Sequence, residues 1–202
     1  MLVIGITGGV GAGKSSVLKA LEEHCNCKII LADDVGNMVK EPGQSCYFQI
    51  VDLLGKDILK EDSTIDKLKM AEKIFANEDI LKQVNHIIHP AVEKYILNDI
   101  QTEREKKEID VFFLEAALLI EAGYVIYLDE LWYIFSEKNV RIKRLKECRG
   151  YSDEKIRQIM DKQLSDDDFR MYADVILDNS YEFQSTFEQI KAECSRLGVW
   201  KD

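Results

Sequence analysis

The chain has 202 residues, a length that suits one compact domain with small insertions rather than a multidomain assembly. Hydrophobic residues make up 46% of the sequence, enough to bury a sizeable core, and this excludes a disordered chain. The 27 Lys and Arg against 37 Asp and Glu give a formal net charge of −10, which argues against a nucleic-acid binder but leaves room for a local basic cleft.

The cysteines and the apolar segments indicate the compartment. The five cysteines are odd in number and irregularly spaced, which is typical of a reducing environment. No apolar run approaches the roughly 20 residues of a membrane span, and the first residues lack the basic start of a secretory signal. We therefore expect a cytoplasmic protein without membrane contact, and no feature points to an obligate protein partner.

Short apolar segments rich in β-branched residues recur along the chain and predict strands buried in a parallel sheet. The first strand is Leu2-Val3-Ile4-Gly5-Ile6, which runs into a glycine-rich turn and a helical pattern. The other predicted strands are residues 28–31, 109–114, 131–135 and 174–177. Because helical patterns separate them, we predict an α/β fold with a doubly wound, five-stranded parallel sheet in a single domain.

Two intervals between predicted strands are too long for simple crossovers. Residues 34–108 carry several helical patterns, and we predict a helical substrate-binding subdomain there. Residues 137–172 are rich in charge and predict a short lid over a ligand at the carboxyl ends of the strands. A solvated helical hairpin with no catalytic role is the alternative for this second insertion.

The clearest motif is Gly8-Gly9-Val10-Gly11-Ala12-Gly13-Lys14-Ser15, which fits G-x-x-x-x-G-K-[ST] between a predicted strand and a predicted helix. Its glycines allow backbone N–H groups to surround a phosphate, and the helix N-terminus adds partial positive charge. Lys14 is expected to reach the β- and γ-phosphates, and the Ser15 hydroxyl to ligate Mg²⁺. The motif predicts a P-loop NTPase-like, nucleotide-binding core; a glycine-rich turn without a ligand is the alternative.

Acidic residues follow two of the predicted strands. Asp33 comes after the second strand, where its carboxylate could accept the proton of an attacking hydroxyl. The alternative for Asp33 is a helix N-cap with an acidic first turn. Glu115 follows the third strand, where it could hold Mg²⁺ through water or bind substrate.

Arginines and one histidine are further candidates. Arg141, Arg144 and Arg149 lie on or just beyond the first predicted lid helix, and guanidinium groups suit the charge that develops on a transferred phosphoryl group. A solvated charged face is the alternative. His89-Pro90 interrupts a long helical pattern, so Pro90 is expected to begin a new helix or to kink one, while His89 binds substrate or caps the break.

From about residue 3 to residue 179, the order of these motifs resembles the dephospho-CoA kinase family. The opening through Ser15-Ser16 and the pair Ala32-Asp33 are similar to its first two strand ends. Further segments that resemble the family are Val39-Lys40-Glu41-Pro42-Gly43, Ile74-Phe75-Ala76-Asn77, Ile88-His89-Pro90, Leu118-Leu119-Ile120-Glu121, Arg144-Leu145, Gln163 and Ala173-Asp174-Val175-Ile176-Leu177-Asp178-Asn179.

The resemblance implies transfer of the ATP γ-phosphate to the ribose 3′-hydroxyl of dephospho-CoA, with Mg²⁺, in the last step of coenzyme A synthesis. It implies that Asp33 is the catalytic base, with Lys14 and Arg144 acting on the phosphates. ATP contacts are expected from residues 8–16, Arg144 and Asn179, the last near the adenine. Substrate contacts are expected from Asp33 and from three other residues, His89, Glu115 and Leu118.

Three positions depart from the family pattern. Leu31 replaces an acid often found two residues before Asp33, and Ala117 replaces a proline before Leu118. Cys148 stands where a second lid arginine is expected, and Arg149 is positioned one residue later to replace it. If Arg149 does not replace this arginine, we expect lid closure and turnover to be affected more than ATP binding.

Two other functions use the same core. A nucleoside or nucleoside-monophosphate kinase shares the sheet, the loop and the lid. A GTP or ATP switch that works by binding partners is the alternative outside enzyme chemistry, although the chain has no N-K-x-D-like segment that would read guanine. A panel of phosphoryl acceptors distinguishes the three.

Overall fold

The computed structural model describes residues 1–201. The chain divides into two compact units. The sheet unit comprises Met1–Ile30 and the chain from Glu103 onward, and the helical unit comprises Leu31–Thr102.

The described chain contains five strands joined in one sheet, in the spatial order β2-β3-β1-β4-β5. The strands are β1 (Leu2–Thr7), β2 (Cys27–Leu31), β3 (Val111–Glu115), β4 (Glu130–Phe135) and β5 (Val175–Asp178). The pairs β1 with β3, β1 with β4 and β4 with β5 are parallel. The predicted five-stranded α/β fold is therefore confirmed, with strand ends that differ from the prediction by no more than two residues.

Residues 1–201 also form nine α-helices, which connect and flank the strands. In chain order they are α1 (Lys14–His24), α2 (Ala32–Met38), α3 (Tyr47–Leu54), α4 (Lys67–Phe75), α5 (Glu78–Lys106), α6 (Lys138–Arg149), α7 (Asp153–Met160), α8 (Asp166–Tyr172) and α9 (Phe183–Arg196). None of the helices in this range has the length and apolarity that crossing a bilayer would require.

Aromatic side chains fill the middle of the sheet unit. Phe112 and Phe113 on β3 and Trp132 and Tyr133 on β4 are almost fully buried. Phe169 of α8 stacks on Tyr133 with ring centroids 4.8 Å apart. Each such ring contributes about 1.5–3 kcal/mol through the apolar surface that it removes from water. This packing holds β4 and α8 together beneath the carboxyl ends of the strands.

The helical unit excludes one of the two alternatives stated for Pro90. The chain does not begin a new helix there, because α5 is continuous from Glu78 to Lys106 with Pro90 inside it. Proline cannot donate to the carbonyl oxygen four residues earlier, at His86, but His86 is exposed and water can bind that oxygen. His89 is likewise an exposed residue within α5, so the prediction that it caps a break is wrong.

Two lysines surround one carboxylate of the sheet unit. Glu103 Oε1 lies 3.1 Å from Lys28 Nζ and 3.0 Å from Lys106 Nζ, and its side chain is only 7% exposed. The hydrogen bonds from Lys106 and then Lys28 lower the pKa of Glu103 below its ordinary value of 4.5. The ionised carboxylate is therefore favoured by folding.

We expect Glu103→Gln to lower the free energy of unfolding at pH 7, because it removes this carboxylate. A depressed folded-state pKa contributes stability that is complete above the unfolded pKa and is lost as the pH falls through the folded value. The difference between wild type and variant should consequently shrink below about pH 4.5, the ordinary value of the group. Urea unfolding at a series of pH values measures this difference in the free energy of unfolding. The exposed Glu108 supplies the control Glu108→Gln, and a difference that stays constant from pH 7 to strong acid contradicts the assignment.

Candidate active site

The loop between β1 and α1, residues 8–13, is the glycine loop. Gly11 has φ +81° and Gly13 has φ +90°, conformations that other residues rarely adopt. A Cβ on Gly9 would overlap the guanidinium of Arg141, and one on Gly13 would overlap the amide of Asn179. Glycine is therefore required here both by the turn of the backbone and by the side chains packed against it.

Three donors outside the loop bind one of its carbonyl oxygens. Ala12 O accepts hydrogen bonds from Asn179 Nδ2 at 2.8 Å, Ser136 Oγ at 3.1 Å and Arg144 Nη1 at 3.4 Å. Across a trans peptide the carbonyl and the following N–H point in opposite directions, so the N–H of Gly13 points away from these donors. This orientation suits an anion held inside the loop at the N-terminus of α1.

The same donors bind one another. The single hydroxyl proton of Ser136 is shared between Ala12 O and Asn179 O, which lies 2.7 Å from Oγ, and Arg144 donates to both Ser136 Oγ at 3.0 Å and Asn179 O at 2.9 Å. The side-chain oxygen of Asn179 accepts from Thr186 Oγ1 at 2.9 Å. Ser136 and Asn179 are buried and follow β4 and β5 directly. The residues that follow these two strands, together with Arg144 of α6, therefore fix the outer side of the glycine loop, toward which Ala12 O points.

Lys14 joins the loop to β3. Its Nζ donates to Gly8 O at 2.8 Å and lies 3.5 Å from Glu115 Oε1. Glu115 is the last residue of β3 and is in register with Ile6 of β1, which explains why the carboxylate reaches the base of the loop. The ammonium group is thus already at the loop, and the prediction that Glu115 stands at a strand end is confirmed.

Oxygen donors that suit a magnesium ion are present at this edge. Ser15 is exposed in the first turn of α1. The carboxylate of Glu115 is paired with Lys14, the first residue of the same turn. Mg²⁺ prefers hard oxygen ligands and usually takes one or two from the protein, the rest being phosphate oxygens and water. The donor chemistry fits such an ion. Among residues 1–201 there is no cluster of three or more His, Cys, Asp or Glu residues arranged to hold a metal.

The remaining predicted residues of the sheet unit lie in different surroundings. Arg144 contacts the glycine loop from behind, as described above, whereas Cys148 and Arg149 are exposed at the end of α6. Leu118, in the loop after β3, is 52% exposed. Ser16 is exposed beside Ser15.

Asp33 and His89 belong to the helical unit. Asp33 is the second residue of α2, and the N-cap is Leu31, so the prediction that an acid caps this helix is wrong while the acidic first turn is confirmed. The carboxylate of Asp33 is exposed, and a helix N-terminus stabilises its negative charge. Lys40 interacts electrostatically with it; burial, and then repulsion from Lys67, lower the pKa of that lysine.

Sequence reasoning missed Ser136 and did not assign Gln163 a partner. The sequence could have indicated Ser136, because this residue follows β4 directly. Asp33 and Glu115 are predicted site residues on the same ground, namely their position at the carboxyl end of a strand. The family resemblance singles out Gln163, but nothing in the sequence indicates its partner Val10, which is 153 residues away in the chain.

The chain is similar to known proteins over nearly its whole length. The sequence model of the family described as dephospho-CoA kinase matches residues 2–185. A dephospho-CoA kinase of Carboxydothermus hydrogenoformans is 36% identical over 201 residues, covering 99% of this chain and 96% of the relative. A relative of that name from Corynebacterium diphtheriae is 32% identical over 180 residues, 89% of each chain. A crystal structure from Thermus thermophilus superposes with a TM-score of 0.81 at 22% identity and covers 97% of both chains, which supports the fold.

We expect Lys14→Ala to weaken ATP binding about tenfold or more, because a hydrogen bond to a charged group contributes about 1.5–3 kcal/mol. Calorimetric titration with ATP and Mg²⁺ measures the change. Lys19→Ala is the matched control, since Lys19 is an exposed lysine of the same helix that pairs with Glu23. Equal ATP affinity in Lys14→Ala and Lys19→Ala would show that Lys14 does not face the nucleotide.

Proposed function

The chain belongs to the dephospho-CoA kinase family, and from that premise we propose how its own residues carry out the reaction. It is an ATP-dependent kinase that phosphorylates dephospho-CoA to coenzyme A, the final step of coenzyme A synthesis. The observation that carries the proposal is the family match over residues 2–185 together with a glycine loop whose carbonyl oxygens are bound from outside.

The glycine loop and the first turn of α1 bind the ATP phosphates. Backbone N–H groups inside the loop donate hydrogen bonds to phosphate oxygens, and Lys14 exchanges its contacts with Gly8 O and Glu115 for the β- and γ-phosphates. The hydroxyl groups of Ser15 and Ser16 lie at the exposed start of α1, where they are available to the same ligand. Ser15 and Glu115 are the residues that would hold Mg²⁺, which neutralises phosphate charge when bound.

Asp33 accepts the proton of the attacking hydroxyl. It follows β2 by two residues, and ligands of parallel α/β sheets bind beyond the carboxyl ends of the strands. Its carboxylate is exposed in the first turn of α2, so it is available to accept a proton from a substrate hydroxyl.

Arg144 and Asn179 act on ATP from behind the glycine loop. Arg144 brings positive charge to Ala12 O, and this stabilises negative charge that develops on the transferred phosphoryl group. The amide of Asn179 is engaged by Ala12 O and Thr186, so its support of the loop comes first, and a contact with adenine is a further prediction.

The acceptor side of the proposal rests on the family resemblance. We assign the helical unit to dephospho-CoA, with Asp33 and His89 as its contacts, and we propose Glu115 and Leu118 of the sheet unit as further substrate contacts. We assign residues 137–172 to a lid, and the cytoplasm as the compartment. The exposed Arg149 is free of the loop and could take the role expected at Cys148.

An acceptor panel tests the function, and Asp33→Asn tests the base. With Mg²⁺ and ATP, we expect dephospho-CoA to stimulate ADP release strongly, with coenzyme A as the product, while adenosine and AMP do not. Asp33→Asn should lower kcat about 100-fold or more and leave the Kd for ATP within about twofold, since a positioned base contributes about 10²–10⁴ in rate.

Asp34→Asn is the matched control, because Asp34 is the neighbouring exposed carboxylate in the same helical turn. It should retain most of the activity. Stimulation by AMP or adenosine instead of dephospho-CoA would contradict the acceptor. Full turnover of dephospho-CoA by Asp33→Asn would exclude Asp33 as the base and leave the acceptor assignment intact.

A further inference from the structure

Val10 lies in the middle of the glycine loop, a position here called the crown, and both its N–H and its carbonyl oxygen are hydrogen-bonded to side chains outside the loop. Its N–H donates to Gln163 Oε1 at 3.0 Å, and its carbonyl oxygen accepts from Arg141 Nε at 3.0 Å. Arg141 Nη2 also donates to the same Gln163 oxygen at 3.1 Å. The three residues form a closed ring of hydrogen bonds, here called the crown clamp (Val10, Arg141 and Gln163).

The chemistry of the crown clamp requires an acceptor at position 163. Both partners of the Gln163 side chain are N–H donors, one from the backbone and one from a guanidinium that has no acceptor. Only the oxygen of the Gln163 amide can therefore face them. An apolar side chain of the same length would leave both N–H groups without this partner, which is costly for the largely buried Arg141.

A second set of contacts fixes Arg141. Its Nη1 lies 3.6 Å from Asp166 Oδ1, and that oxygen accepts a 2.7 Å hydrogen bond from the hydroxyl of Tyr133. Burial, and then the hydrogen bond to Asp166, raise the pKa of Tyr133, so its hydroxyl stays a donor at all physiological pH values. Tyr133 belongs to β4 and stacks on Phe169 of α8. The guanidinium is consequently anchored to the rigid core of the sheet unit.

The crown clamp joins the glycine loop to two separate segments of the insertion at residues 137–172. Arg141 lies in the first half of α6, whereas Gln163 lies in the segment between α7 and α8. The carbonyl of Val10 is drawn toward Arg141, so the N–H of Gly11, across the same peptide, points the opposite way. The guanidinium also packs against Gly9, where a Cβ would overlap it.

We propose that Gln163 and Arg141 are positioning residues that set the crown of the glycine loop for the nucleotide, with Gln163 acting as an obligatory hydrogen-bond acceptor. The inference rests on the proposed function in taking ATP as that nucleotide. Neither residue needs to touch the reacting atoms. Their effect is to orient the N–H of Gly11 before the ligand arrives, which removes an ordering cost from binding.

Two substitutions at one position separate this role from simple packing. Gln163→Met keeps the length of the side chain and removes the acceptor, and it should raise the Kd for ATP about five- to tenfold, as expected for the loss of a buried hydrogen-bond partner. Gln163→Glu restores an acceptor oxygen opposite both donors, and its Kd for ATP should stay within about twofold of wild type.

Gln158→Met is the matched control, since Gln158 is an exposed glutamine of α7 bonded only locally to Glu154. ATP affinity is measured by calorimetry without acceptor, and the KM values for ATP and dephospho-CoA by steady-state assay. In Gln163→Met the KM for ATP should rise while that for dephospho-CoA changes less than about twofold. A thermal midpoint recorded for each variant separates loss of folding from loss of affinity.

Three results would overturn the proposal: ATP affinity in Gln163→Met equal to that in Gln158→Met, Gln163→Glu as weak as Gln163→Met, or KM values for both substrates rising in parallel. Because the affinity measurement needs no acceptor, it tests the crown clamp even if dephospho-CoA proves not to be phosphorylated. Failure of the function and failure of this inference are thereby distinguishable.

Discussion

The structure depends on the hydrogen bonds that bind the glycine loop from outside. A loop built mainly of glycine has almost no side chains of its own to define its shape, and its backbone has many accessible conformations. Here Ala12 O receives donors from Asn179, Ser136 and Arg144, and Val10 is bound through both its N–H and its carbonyl. Within each planar trans peptide the C=O and the following N–H point in opposite directions, so binding the carbonyl groups of Val10 and Ala12 from outside turns the N–H groups of Gly11 and Gly13 away from those donors.

The order of the strands explains how these donors come together. β1 is central and leads directly into the loop, while β3 and β4 lie on either side of it and β5 lies beyond β4. The strand ends therefore deliver Glu115, Ser136 and Asn179 to one edge, and α6 adds two arginines. These cations lie at the loop although the chain carries a net charge of −10, and exposed charges farther away than about 8 Å are largely screened at physiological salt.

The sequence predicts those parts of the molecule that local patterns determine. The five strands, the glycine loop and the acidic strand ends all follow from short apolar runs and the residues just after them. For Pro90 the sequence leaves two outcomes, a new helix or a kink, and the structure excludes the first because α5 runs through it. The contacts of Arg141 and Gln163 with Val10 could not be predicted, because they join residues more than 130 positions apart in the chain, which no local pattern specifies.

The central claim is that the glycine loop already has its nucleotide-binding shape before a nucleotide binds. Residue-resolved amide hydrogen exchange of the nucleotide-free protein tests it most directly, at Val10, whose N–H donates to Gln163, and at Ala12, whose N–H donates to Gly9 O. If the loop is preformed, both amides exchange slowly in the free protein, with little further slowing when ATP is added. Fast exchange at both sites, with protection only after ATP binds, would show instead that the ligand orders the loop.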